Sequence, residues 1–279
     1  MTKLNYEFLK SLPKAELHCH LDGSVRPKTM WEMAQKHKVK LPVDSEEKLA
    51  SFLQVGDKCE SLEEYLRPFD ITTSVLQWED SLYRATYELA EDATEENVRY
   101  LEIRFSPVLH IKKGLKLTEV LDAVIKGKKQ AEKDFNITIG IIICGLRHFD
   151  PEITLKLAEL TVAYKNRGVV GFDLAGAERD FPAKEHKEAF YLIINNNINT
   201  TVHAGEAYGP ESIHQAIHYN RANRLGHGTR LFEDGDLLNY VNDHRIPLEV
   251  CLTSNVQTKS VASFEKHPIK FYFDMGIRV

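Results

Sequence analysis

Cysteine is scarce and scattered in this 279-residue chain. Cys19, Cys59, Cys144 and Cys251 lie far apart with no Cys-x-x-Cys spacing, and three of them sit in strand-like apolar runs. That speaks against a disulfide framework and for buried free thiols in a reducing compartment. Basic charge is not in excess either: 36 Lys and Arg against 41 Asp and Glu leave a formal net charge of -5. A nucleic-acid surface normally shows a basic bias, so no nucleic acid is expected as a partner. No apolar run is long enough to span a bilayer, and Met1 to Pro13 holds no continuous apolar core of a signal peptide. A cytoplasmic protein with no membrane partner is expected. No Pro/Gly/Ser-rich linker or shift of composition interrupts the chain, so residues 1–279 are expected to form one domain. With 43% hydrophobic residues, that domain can bury a substantial core.

What is present begins with Ala15-Glu16-Leu17-His18-Cys19-His20-Leu21-Asp22-Gly23-Ser24, which reads as a short strand running into a loop. Side chains alternate faces along a strand, so His18 and His20 point one way and Leu17, Cys19 and Leu21 the other. Two imidazoles side by side at a strand end make half of a metal site, although a surface coincidence gives the same pattern. Ser24 is expected to cap a helix starting near Pro27. Residues 44–97 read almost wholly helical, with Ser61-Leu62-Glu63-Glu64 as a capping box and a long amphipathic helix from about Trp78 to Asn97.

Strand-like and helix-like segments then alternate. The strands are Arg99–Phe105, Ile137–Cys144, Val169–Leu174, Thr200–His203, Arg224–His227 and Pro247–Leu252. Between them lie helical stretches at Leu117–Phe135, Glu152–Asn166, Lys184–Asn195, Gly209–Tyr219 and Asp234–Asp243. Short strands apolar on both faces and separated by helices mark a parallel sheet covered on both sides. No Gly-x-Gly-x-x-Gly turn follows an early strand, which disfavours an open dinucleotide-binding sheet. A (β/α)8 TIM-type barrel with a helical insertion after its first strand fits better, because polar residues gather at the strands' C-terminal ends. Seven strands are counted. Phe273 to Val279 reads as the entry into an eighth that is cut off.

Two further stretches carry chemistry. In Thr200-Thr201-Val202-His203-Ala204-Gly205-Glu206, a histidine closes a strand and a glutamate follows past a small-residue turn. The sharp reading is a third metal ligand with a carboxylic acid held beside a substrate; the bland one is a helix start with a surface glutamate. In Leu225-Gly226-His227-Gly228, a histidine between two glycines is poorly explained by core packing, since nothing beside it supplies bulk. Glycines there permit close approach to a bound molecule.

These stretches, with Tyr100-Leu101-Glu102-Ile103-Arg104-Phe105-Ser106-Pro107, Gly171-Phe172-Asp173-Leu174-Ala175-Gly176-Ala177-Glu178 and Ser254-Asn255, resemble the adenosine deaminase family, in family order. That resemblance implies a zinc-dependent branch of the amidohydrolase superfamily on a (β/α)8 barrel. It implies conversion of adenosine or 2′-deoxyadenosine to inosine or 2′-deoxyinosine plus ammonia. His18, His20 and His203 would hold one zinc ion. Glu206 would give a proton to the purine ring nitrogen, and His227 would position and help activate the zinc-bound water. His20, Asp22 and Gly176 would meet the substrate, Asp22 through the ribose and Gly176 through its backbone. Tyr65, Leu66 and Phe69 align loosely with the family's apolar lid; core packing explains them equally well.

The family's last strand carries a zinc-binding aspartate, and Val279 falls just short of it. Related readings are a deaminase of adenine or another N6-substituted purine, and a non-catalytic purine-binding relative. A binuclear hydrolase of the superfamily would commonly place a lysine on the fourth strand, and Val169 to Leu174 holds none.

Overall fold

The computed structural model describes residues 5–53 and 62–279, with the side chains of 62–67 left out. Seven parallel strands follow one another in sheet order β1 to β7, with helices between them. This is the strand order and alternation of a (β/α)8-type fold. Among the described residues no helix is long and apolar enough to cross a membrane.

The chain divides into two compact units that alternate along the sequence. The first comprises residues 1–53, 68–142 and 167–169. Its strands β1 (Lys14–His20) and β2 (Val98–Phe105) pair in parallel, with Cys19 opposite Ile103 and His20 opposite Arg104. The insertion after β1 is helical as expected, in segments Pro27–His37, Glu46–Leu53, Leu62–Val75 and Glu79–Glu95. Helix Glu79–Glu95 turns its apolar stripe of Leu82, Ala85, Leu89 and Ala90 inward, and helix Leu117–Asp134 packs against it with Val120, Val124 and Ala131. Leu101, Ile103 and Phe105 of β2 are fully buried alongside. The capping-box residue Ser61 and the side chains of Tyr65 and Leu66 lie outside the described residues.

The second unit comprises residues 54–67, 143–166 and 170–279. Strand β3 (Thr138–Leu146) enters it from the first, as does β4 (Val169–Ala175). Next come β5 (Asn199–Ala204), β6 (Arg224–His227) and β7 (Leu248–Glu249), each paired in parallel with its predecessor. Helix Pro151–Tyr164 starts as the sequence dictates, with Asp150 accepting the Glu152 N–H at 2.8 Å and proline in the first turn. Asp234 caps Gly235–Asp243 in the same way, accepting from Leu237 at 3.0 Å.

Three local expectations need correction. Ser24 does not cap the helix after β1; Arg26 stands at that cap, and the Ser24 hydroxyl instead donates to the His20 carbonyl at 2.7 Å, closing the turn after the strand. Strand β7 spans two residues rather than six, because Leu252–Gln257 winds into a helix. Phe273 and Asp274 are the end of helix Ile269–Asp274, and only beyond Gly276 does the chain extend, where the Arg278 carbonyl accepts from Leu248 at 2.9 Å.

Candidate active site

Within the first unit, His18 and His20 share one side of β1, as strand alternation requires, with ring centroids 5.4 Å apart. Asp22 follows in the turn and is buried, and its Oδ1 has no hydrogen-bond partner among the described residues. Burial pushes the Asp22 carboxyl up to about 6, against two backbone hydrogen bonds that favour its charge. The Phe69 ring packs beside Gly23, within 3.2 Å of where a Cβ on that glycine would sit. The half-buried aromatic therefore borders the turn that carries Asp22.

The second unit gathers the rest. His203, near the end of β5, approaches the Asp173 carboxylate of β4 through Nδ1 at 3.0 Å. Asp173 is completely buried and also accepts the Leu174 N–H at 2.7 Å and the Cys144 thiol at 3.4 Å. A carboxylate can only accept, so His203 donates Nδ1–H to it and its lone pair lies on Nε2. The Arg147 guanidinium, itself buried, donates to the His203 carbonyl and to that of Phe181.

Gly205 makes the bend between His203 and Glu206. Its φ of +74° is left-handed, and an added Cβ would fall 2.5 Å from Ile213 Cδ1. Gly205→Ala should therefore cost about 1–3 kcal/mol from the backbone alone. Denaturant unfolding checks that loss, and unchanged stability would contradict it. Past the bend, the buried Glu178 carboxylate accepts the backbone N–H groups of Glu206, Ala207 and Tyr208 at 3.1, 3.2 and 2.8 Å. Three amides on one carboxylate lock the turn that presents Glu206.

Glu206 is 5% exposed. Its Oε1 accepts from the Thr258 hydroxyl at 3.0 Å, and its carbonyl accepts from Ser260 at 2.7 Å. Burial, helped by the negative charge of Glu178 and opposed by Thr258, pushes its carboxyl up to about 8. His227, the last residue of β6, brings Nε2 within 3.4 Å of Glu206 Oε2, and its ring lies 5.3 Å from that of His203. Its φ of +65° is a strained setting for a non-glycine residue. Gly176, one residue past β4, has φ +95°, again a backbone that favours glycine.

The structure thus groups His18, His20 and Asp22 in one unit and His203, Glu206 and His227 in the other, each near a strand's C-terminal end. Asp173 and Glu178 lie inside the family-like stretches, but nothing in the sequence gives either a role. No local spacing marks Thr258 or Arg147. Histidines and a buried acid near the C-terminal ends of parallel strands in this order mark an enzyme site on a (β/α)8-type fold.

The family model described as adenosine deaminase matches residues 13–279. A probable adenosine deaminase of Dictyostelium discoideum is 46% identical over 98% of this chain and 36% of its own length. The adenosine deaminase of Clostridium kluyveri is 43% identical over 96% of this chain and 77% of its own. Among solved structures, a zinc-bound amidohydrolase from Burkholderia ambifaria is 25% identical with a TM-score of 0.89, covering 99% of this chain and 77% of that one. The chain belongs to the adenosine deaminase family.

Proposed function

We propose that the chain hydrolyses the exocyclic amino group of adenosine and 2′-deoxyadenosine, releasing ammonia and the corresponding inosine. In this reading residues 1–279 act as one catalytic domain, in the cytoplasm. The observation that carries it is Glu206: a buried carboxyl, pushed up to about 8, three residues past a histidine whose tautomer Asp173 fixes.

His18, His20 and His203 are the group that could hold a metal ion. Three imidazoles would suit a catalytic zinc, and Asp173 prepares His203 by leaving its Nε2 lone pair available. A zinc ion held there would supply a water molecule whose pKa is lowered toward about 7.

The protein's own groups do the rest. Losing an amine from an aromatic carbon breaks ring conjugation, so the ring must be protonated as the nucleophile adds. Glu206, neutral at pH 7, holds that proton at its carboxyl and delivers it to the purine ring nitrogen. His227 orients the attacking water beside it. The backbone of Gly176 meets the purine, and Asp22 Oδ1 gains its missing partner from a ribose hydroxyl. That orphan oxygen favours a nucleoside over free adenine.

Purified protein with zinc should convert adenosine to inosine with stoichiometric ammonia. Chelator treatment should abolish turnover, and zinc should restore it. Turnover of adenine or an N6-substituted purine but not adenosine would transfer the assignment to that substrate. Nucleoside binding without ammonia would leave a purine-binding relative.

A further inference from the structure

We propose that His267 is a positioning residue that sets the tautomer of His227 through Asn255, a role in turnover that rests on the reading of His227 given above. Asn255 is completely buried, and its side-chain amide lies between the two rings. Asn255 Nδ2 is 3.0 Å from His227 Nδ1, and Asn255 Oδ1 is 3.2 Å from His267 Nε2. The far side of His267 is anchored, because the Ile269 backbone N–H donates to His267 Nδ1 at 3.1 Å.

Only one assignment of protons satisfies these three links. A backbone N–H can only donate, so His267 Nδ1 must accept. A neutral His267 then carries its proton on Nε2 and donates to Asn255 Oδ1. That orients the amide so that Nδ2 donates to His227 Nδ1. His227 Nδ1 is thereby an acceptor, and the neutral ring carries its proton on Nε2, the nitrogen nearest the Glu206 carboxyl. Turning the amide over would set Nδ2 against a protonated Nε2 of His267, donor against donor. Burial also lowers the His267 pKa, consistent with a neutral ring.

The Ile269 N–H is available for this because it belongs to the first turn of helix Ile269–Asp274, where backbone donors lack intrahelical acceptors. The Ile269 backbone N–H therefore decides which nitrogen of His227 bears hydrogen. Partners that orient a metal-ligating imidazole in this way are typically worth about 10–100-fold, and the hold on His227 is expected to act at the lower end of that range.

Long-range proton–nitrogen NMR on the zinc-loaded protein with labelled histidine reads the tautomer without substrate. The His227 signals are identified by their loss in His227→Asn. Wild type should show His227 protonated at Nε2, and His267→Gln, whose side-chain amide can still donate to Asn255, should keep that pattern. His267→Phe should mix the tautomers and lower kcat about 10-fold at unchanged KM. A wild-type His227 protonated at Nδ1 would overturn the proposal even if His267→Phe fails to fold. So would a folded His267→Phe with an unaltered tautomer. Absence of deaminase activity in wild type would sink the assigned reaction and leave the tautomer measurement standing.

Discussion

Glu206→Gln is expected to lower kcat by about 10²–10⁴ while zinc content and substrate affinity stay near those of the wild type. Glutamine keeps the shape of the side chain and still accepts the Thr258 hydroxyl, so the lock around the turn survives. It lacks only a proton it can release to a ring nitrogen. The pH dependence follows from the same group. Burial beside Glu178 holds the Glu206 carboxyl at about 8, and the protonated form is the donor. In the wild type, kcat/KM should therefore hold below that pH and fall as pH rises through it. The residual rate of Glu206→Gln should show no such limb. Stability carries the same sign. The folded pKa is raised above the ordinary carboxyl value of 4.5, so the contribution of Glu206 is full below 4.5 and lost as pH rises through about 8. Unfolding of Glu206→Gln should then depend less on pH across that window. A kcat near that of the wild type would remove Glu206 as the acid.

The groups legible in the sequence are those whose geometry is local. His18 and His20 declare a shared face through the two-residue period of a strand, and their rings do lie side by side. His203, Gly205 and Glu206 declare a bend because a glycine separates a strand end from an acid. His227 stands out because the two glycines beside it supply no bulk for core packing, whereas its left-handed φ is not legible from the sequence. The groups that escaped are set by partners far along the chain. Asp173 reaches His203 across 30 residues and Thr258 reaches Glu206 across 52, distances at which no spacing rule operates. His267 finds its role only through Asn255 and a helix N-terminus. Local rules also failed where two good options competed. The Ser24 hydroxyl had a carbonyl of its own turn within reach, and that contact won over the helix cap. At β7, the strand pattern of Pro247–Leu252 yielded to a helix that places Asn255 beneath His227.

Asp173→Ala should weaken zinc binding by about 10–100-fold, the usual cost of removing a carboxylate behind a metal-binding imidazole. The argument rests on what Asp173 does for the His203 ring. Both carboxylate oxygens lie within 3.1 Å of Nδ1, so the ring's orientation and its proton are fixed together. Alanine frees the ring to rotate and allows the proton to move to Nε2, where it would block coordination. It also removes the carboxylate's hydrogen bond with the Leu174 N–H in a fully buried position, which costs about 1–3 kcal/mol of stability. Two effects therefore arrive at once, and Asp173→Asn separates them. The amide oxygen can still accept from Nδ1–H or from Leu174, so packing is largely kept while the negative charge is lost. If the negative charge matters for the metal, Asp173→Asn should lose affinity in a chelator competition while melting near the wild-type temperature. Asp173→Ala should lose both. Equal zinc affinity in all three proteins, each shown to be folded, would mean that His203 is not a metal ligand. The buried pair of His203 and Asp173 would then be a structural one.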